Sequence, residues 1–180
     1  MAFESVKGVI ADTENAPKFC LGAEVAYRAG ISSDKNLKDL CLGESDYILV
    51  EMPFRKWEEG EVCEIELMAS YGFKPIIAHI ERYMDFQDKK TLKRLFSMPV
   101  LIQSNAGFFL NKRTSRKAFK MVSRGQIQIV SSDAHNTSSR PPNLKALSEA
   151  PHAEKLQGIF TETESVFLKA YESAPPKLKV

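Results

Sequence analysis

The sequence predicts an α/β fold, a mostly parallel sheet of about five strands with helices outside it, and two observations carry that prediction. Short apolar runs rich in branched residues recur at Tyr47 to Val50, Pro75 to Ala78, Val100 to Ile102 and Ile127 to Val130, a step of about 25 residues that suits repeated strand–helix units. The intervals between them carry apolar residues at helical spacing, bounded by capping residues and glycines. Alternation of that kind implies a parallel sheet, either open or curved toward a barrel.

Taken in order, a first strand is expected over Cys20 to Val25, where apolar and polar residues mix. Glu61 to Tyr71 places Val62, Ile65, Met68 and Ala69 on one helical face and stops at Gly72. Asp88 caps a helix carrying Leu92, Leu95 and Phe96. Thr114 or Ser115 opens a third, with Phe119 and Val122, closed by Gly125. Arg140-Pro141-Pro142 reads as a loop, because proline enters neither a helix interior nor a sheet ladder. Five strands are too few to close a barrel, so the expected architecture is an incomplete one.

At 180 residues and 43% hydrophobic content the chain suits a single domain over residues 1–180, ending in a loose tail over 174–180 that contains Pro175-Pro176. Its 25 basic and 23 acidic residues leave a net charge of +2, too weak a field to indicate nucleic acid or an acidic membrane as partner. No apolar run approaches the roughly 20 residues of a membrane span, and the start lacks the segments of a signal peptide. The chain therefore reads as cytoplasmic. Cys20, Cys41 and Cys63 form no C-x-x-C pair, which argues against a disulfide framework or a zinc ribbon. The residues six positions after them are Ala26, Tyr47 and Ala69, so none has the arginine of a cysteine-based phosphatase loop.

The chemistry-bearing residues gather at strand ends. His79 follows one apolar run, and Asp133 with His135 follows another. Side chains two apart on a strand face the same way, so parallel strands would bring these three into one pocket. Glu24 and Glu51 stand at or near the ends of two further strands, where a carboxylate is costly unless paired or bound to a cation. Imidazole nitrogens with carboxylate oxygens suit manganese, iron or zinc in a hydrolytic site. Arg82 and Arg140 lie just beyond the two histidine motifs and offer the forked donors that a phosphate prefers. Each residue also has a plain reading: a lone strand-end histidine as a packing residue, an isolated arginine as a solvated charge. His152 fits a surface residue.

The motifs GAE at Gly22 to Glu24, YILVEMP at Tyr47 to Pro53, PIIAHIERY at Pro75 to Tyr83 and SSDAHN followed by RPP resemble the CpsB/CapC/YwqE family. These are bacterial manganese-dependent protein-tyrosine phosphatases of the polymerase and histidinol phosphatase (PHP) superfamily, and the likeness runs from about Phe19 to Ile159-Phe160. The resemblance implies a distorted β/α barrel with a trinuclear metal centre at the strand ends. It makes Glu24, Glu51, His79, Asp133 and His135 metal ligands and gives Arg82 and Arg140 the phosphate. It implies manganese as cofactor, with iron or zinc as alternatives. The implied partner is the phosphotyrosine tail of a bacterial tyrosine kinase in capsule or exopolysaccharide synthesis, and family members can form rings.

One departure stands out. The family pattern starts with a His-x-His strand and adds a further histidine before the GAE segment, whereas the histidines here are His79, His135 and His152. The expectation is a domain N-terminally truncated relative to the family, with weakened metal binding and one sheet edge covered by a helix over Phe3 to Ile10 or by another chain. Three readings follow: a metal-dependent tyrosine phosphatase, a non-catalytic remnant that binds a phosphorylated or protein partner, and a phosphoesterase acting on a small metabolite.

Overall fold

The computed structural model describes residues 18–174 together with Gly8 and Ile10. Among the described residues five strands form one sheet: β1 (Glu24–Ala26), β2 (Tyr47–Glu51), β3 (Lys74–Ile77), β4 (Leu101–Asn105) and β5 (Ile129–Ser131). Their order in space is their order in the chain, and each neighbouring pair is parallel. That winding is the one a β/α barrel uses, each connection returning on the same side of the sheet. Among the described residues β1 and β5 each pair on one side only.

Among residues 18–174 the α-helices are α1 (Glu59–Ser70), α2 (Lys89–Leu95), α3 (Ala106–Leu110), α4 (Ser115–Val122), α5 (Leu144–Ser148) and α6 (Gln157–Ser173). Local chemistry sets their ends. Glu61 folds back so that Oε2 accepts the Glu58 N–H at 2.8 Å, tying down the first turn of α1. Gly72, at φ 93°, ends that helix in a backbone region that favours glycine. Asp88 caps α2 by accepting the Thr91 N–H at 2.9 Å.

The strands are short and apolar because both faces of the sheet are covered. On one face Ile48, Val50, Ile77, Ile102 and Val130 join Val62, Ile65 and Met68 of α1, Leu95 of α2, and Ala118 and Met121 of α4. On the other, Tyr47, Ile76 and Ile129 form a smaller cluster with Val166 of α6. Helix α6 is also tied to the edge strand by a bond from the Val130 N–H to Thr163 Oγ1 at 3.1 Å. Its far end presses on Gly43, where an added Cβ would lie 2.1 Å from the Ala170 carbonyl oxygen.

Several boundaries differ from the sequence reading, and one difference matters for the site. Strand β1 covers Glu24–Ala26 where Cys20 to Val25 was expected, so Glu24 opens the strand, and Cys20 lies in an isolated bridge. β4 continues past Ile102 to Asn105, carrying Gln103 and Ser104 into the sheet. The helix expected over Phe3 to Ile10 falls, apart from Gly8 and Ile10, outside the described residues, as does the tail beyond Ala174. Ala174 itself is buried. Cys41 and Cys63 are free thiols, and Cys41 is buried.

Candidate metal centre

Glu24, Glu51 and His79 come together at one rim of the sheet. Pairing of β1 with β2 sets Ala26 opposite Glu51 and Glu24 opposite Leu49, which brings the two acids within reach of each other across the strands. His79 follows β3 by two residues, and its Nε2 lies 3.0 Å from Glu24 Oε1 and 3.4 Å from Glu51 Oε1. One ligand-competent atom from each of the three residues falls within 4.8 Å of the others.

The imidazole is 2% exposed, while the carboxylates are about one-third open to solvent at 36% and 33%. Tyr83 and Phe54 enclose His79, with ring centroids 5.3 Å and 6.0 Å away. Phe54 lies stacked along the imidazole and is half exposed. Tyr83 is fully buried, and its phenol oxygen accepts the Met52 N–H at 3.1 Å. Burial, helped by the Arg82 charge, holds the His79 pKa below its ordinary value despite the opposing pull of Glu51 and Asp133. The ring is thus neutral at neutral pH. With its proton on Nε2, it donates to Glu24, and Nδ1 is left buried without a partner among the described residues.

Asp133 and His135 occupy a second group beside the first. Asp133 follows β5 by two residues at a φ of 51°, and His79 occupies the same position after β3 at 28°. Each turns its side chain at the strand end in a backbone region that non-glycine residues seldom adopt. Arg82 and Arg140 both donate to Asp133 Oδ2. Burial works to raise the Asp133 pKa, but the two guanidiniums outweigh it and hold the carboxyl below its ordinary value. His135 is half exposed. Its Nδ1 lies 3.0 Å from the Asp133 carbonyl oxygen, and Arg140 Nη1 lies 3.1 Å from its Nε2. Arginine only donates, so Nε2 carries the lone pair and Nδ1 the proton.

The structure therefore divides the seven sequence-predicted residues. Glu24, Glu51 and His79 form the cluster of potential ligands, whereas Asp133, His135, Arg82 and Arg140 form an adjoining ion-paired group. Asp133 lies close enough to His79 to act on its titration.

Sequence reasoning missed the residues that join the groups. Gln103 of β4 is buried at 4% exposure. Its Oε1 accepts the His79 N–H, while Nε2 donates to Ser131 Oγ at 2.7 Å and Asn105 Oδ1 at 2.9 Å. Asn105 Nδ2 in turn donates to Asp133 Oδ2 at 3.0 Å. Glu81 turns inward from the other side, accepting from Ser104 Oγ at 2.9 Å and from the Asn105 N–H. Burial raises the Glu81 pKa against those bonds. Polar residues at alternate positions of a strand end, Gln103 and Asn105, were the available signal.

Chemically, the first cluster fits a divalent cation. Two carboxylates facing one neutral imidazole supply oxygen and nitrogen donors of the kind that manganese, iron and zinc accept, and a cation there would relieve the repulsion between the acids.

The chain matches the family model described as capsular polysaccharide synthesis, CpsB/CapC, over residues 1–163. Tyrosine-protein phosphatase CpsB of Streptococcus pneumoniae is 26% identical over 174 residues, covering 89% of this chain and 72% of the relative. CpsB of Streptococcus agalactiae serotype III is 25% identical, with 82% and 67% covered, so the chain spans about two thirds of that relative. For YwqE of Bacillus subtilis the values are 27% identity, 82% and 61%. A solved chain from crystal structures of Bacillus subtilis YwqE and Streptococcus pneumoniae CpsB, described as unique metal-dependent tyrosine phosphatases, superposes with a TM-score of 0.72 at 19% identity. It covers 97% of this chain and 72% of its own length, which establishes the shared fold. With a family match running through most of its length and that fold beneath it, the chain belongs to the CpsB/CapC family.

Proposed function

We propose that this chain is a metal-dependent protein-tyrosine phosphatase acting on phosphotyrosine in the tail of a bacterial tyrosine kinase linked to capsular or exopolysaccharide synthesis. The observation that carries the reading is the convergence of Glu24, Glu51 and His79 beside two arginines that share one acceptor. The relatives' names, tyrosine-protein phosphatases, support the same reaction. Free thiols and the absence, among the described residues, of a helix long and apolar enough to cross a membrane accord with a cytoplasmic site of action.

Glu24, Glu51 and His79 would hold the cation, with Asp133 and His135 as further ligands, and manganese is the ion we assign. Such an ion, when bound, supplies Lewis-acid polarisation and a water of lowered pKa. The chain's own residues do the rest. Burial favours the neutral His79 ring, and a cation between the two carboxylates would take Nε2, the nitrogen that faces them, with the ring proton moved to Nδ1. Arg82 and Arg140 present their guanidiniums together because Asp133 draws both to one oxygen. A phosphate dianion reaching that pair meets donors already oriented, whose charge matches what develops on the phosphoryl oxygens during transfer. Phe54 offers the half-exposed ring beside which a substrate phenyl group would lie.

A second reading, binding of a phosphorylated partner without turnover, draws on a specific observation: the cluster has three members among the described residues, and the chain has no histidine before His79. One experiment separates the two. Incubation of the purified chain with manganese and a phosphotyrosyl peptide should release phosphate, with kcat/KM reduced at least about a thousandfold by His79→Ala and about a hundredfold by Arg82→Ala. Peptide binding without phosphate release would establish the second reading, and neither binding nor release would refute both.

A further inference from the structure

Between α3, the start of α4 and the segment that follows α5 lies a cavity of about 530 Å³ that shares no residue with the centre described above. Phe109 and Phe119 form its apolar wall, their centroids 5.6 Å apart and edge to face. Around them stand Lys112, Arg116, His152 and Lys155, and no acidic side chain lines the cavity. Lys112, Arg116 and Lys155 make no ion pair among the described residues. His152 turns its ring edge toward Phe119 at 6.1 Å, and its Nδ1 is 3.7 Å from Glu154, outside the cavity lining. The volume lies within the range of ligand sites. Inorganic phosphate would leave the aromatic wall unused, and an uncharged aromatic ring would make no use of the three exposed cations around it. An anion carried on an aromatic ring uses both.

We propose that this cavity is a second recognition site, which takes a phosphotyrosyl side chain of a substrate peptide while another phosphotyrosine occupies the centre. The choice of phosphotyrosine among aromatic anions rests on the phosphatase reading. Position supports the link, because Phe109 lies four residues beyond Asn105, whose side chain reaches Asp133. The ring packs on the half-buried Phe119, behind which the buried Phe109 completes the wall, and Arg116, Lys112 and Lys155 take the phosphate.

The test is equilibrium binding of phenyl phosphate to the full, metal-free chain by calorimetry. Three forms are compared: wild type, Arg116→Glu with Lys155→Glu, and Arg82→Ala with Arg140→Ala. The exposed positions of Arg116 and Lys155 let the charge-reversed chain fold, which its far-ultraviolet dichroism checks. The inference expects the affinity of this site to drop at least about tenfold on charge reversal and to persist in the double alanine variant. It also expects phenyl phosphate to bind at least about tenfold tighter than inorganic phosphate, and tighter than AMP. Binding unchanged by charge reversal, equal affinity for inorganic phosphate, or tighter binding of AMP would each overturn it. Turnover of phenyl phosphate with manganese is read separately. A wild type that binds at the cavity but does not turn over refutes the phosphatase reading alone, and turnover without binding at the cavity refutes the second site alone.

Discussion

His79 meets three demands at once: a buried ring, a strained backbone and a backbone N–H that must find an acceptor away from the sheet ladder. Gln103 meets the last of these and, through Asn105 and Ser131, ties the turn after β3 to the turn after β5. Its loss would leave the buried His79 N–H unsatisfied, at a cost of about 1–3 kcal/mol, and would remove two bonds to the half-buried Ser131 and Asn105. Gln103→Ala is therefore expected to destabilise the fold by about 2–4 kcal/mol in urea unfolding. Manganese affinity should also fall about 10–100-fold, measured by titration at a temperature where the variant is fully folded. An affinity equal to wild type in that folded variant would remove Gln103 from the positioning role. The candidate ligands were legible in the sequence because strand-end histidines and acids are chemically conspicuous. Gln103 and Asn105 were less so, since their alternation at a strand end marks a shared face but not the partners that the neighbouring strands supply.

At the scale of elements, termini and close approaches are where single changes should register. The Thr91 N–H and its hydroxyl, with Lys56, lower the Asp88 pKa to about 2. Because the folded value lies below the ordinary 3.8, this cap stabilises the protein above that pH and the contribution fades as pH falls toward about 2. Asp88→Ala should lower Tm by about 2–4 °C at pH 7, and the gap to wild type should narrow in scans taken at successively lower pH. A gap independent of pH would rule out the charged cap as its source. Gly43 is a stricter position, with a φ of 61° and the Ala170 carbonyl of α6 pressed against it. Gly43→Ala should destabilise by at least about 2 kcal/mol, read from chemical denaturation, whereas a neutral result would mean that α6 yields readily. The strands and α1, α2 and α4 were legible through branched apolar runs and capped amphipathic intervals. Helices α3 and α5 are five residues each, too short for periodicity to show, and the Ala106–Leu110 run of α3 is apolar throughout. Helix α6 spreads its contacts over both apolar clusters, so no single stripe marks it.

Across the whole molecule, five consecutive parallel strands create one rim on which turns from different strands assemble a site, and all seven residues singled out from the sequence reach that rim or the segments leaving it. The division into a carboxylate–imidazole cluster and an arginine–aspartate group was not legible beforehand. Spacing identifies which residues face one end of a sheet but not which neighbour each side chain chooses, and Asp133 bonds two arginines. The account rests on a cation held by Glu24, Glu51 and His79. Calorimetric titration of manganese into the metal-free chain tests it most directly, with His79→Ala titrated alongside. The account predicts saturable binding of at least one ion per chain in the wild type and an affinity at least about tenfold weaker in the variant. No saturable binding, or equal affinity in the two proteins, would contradict it.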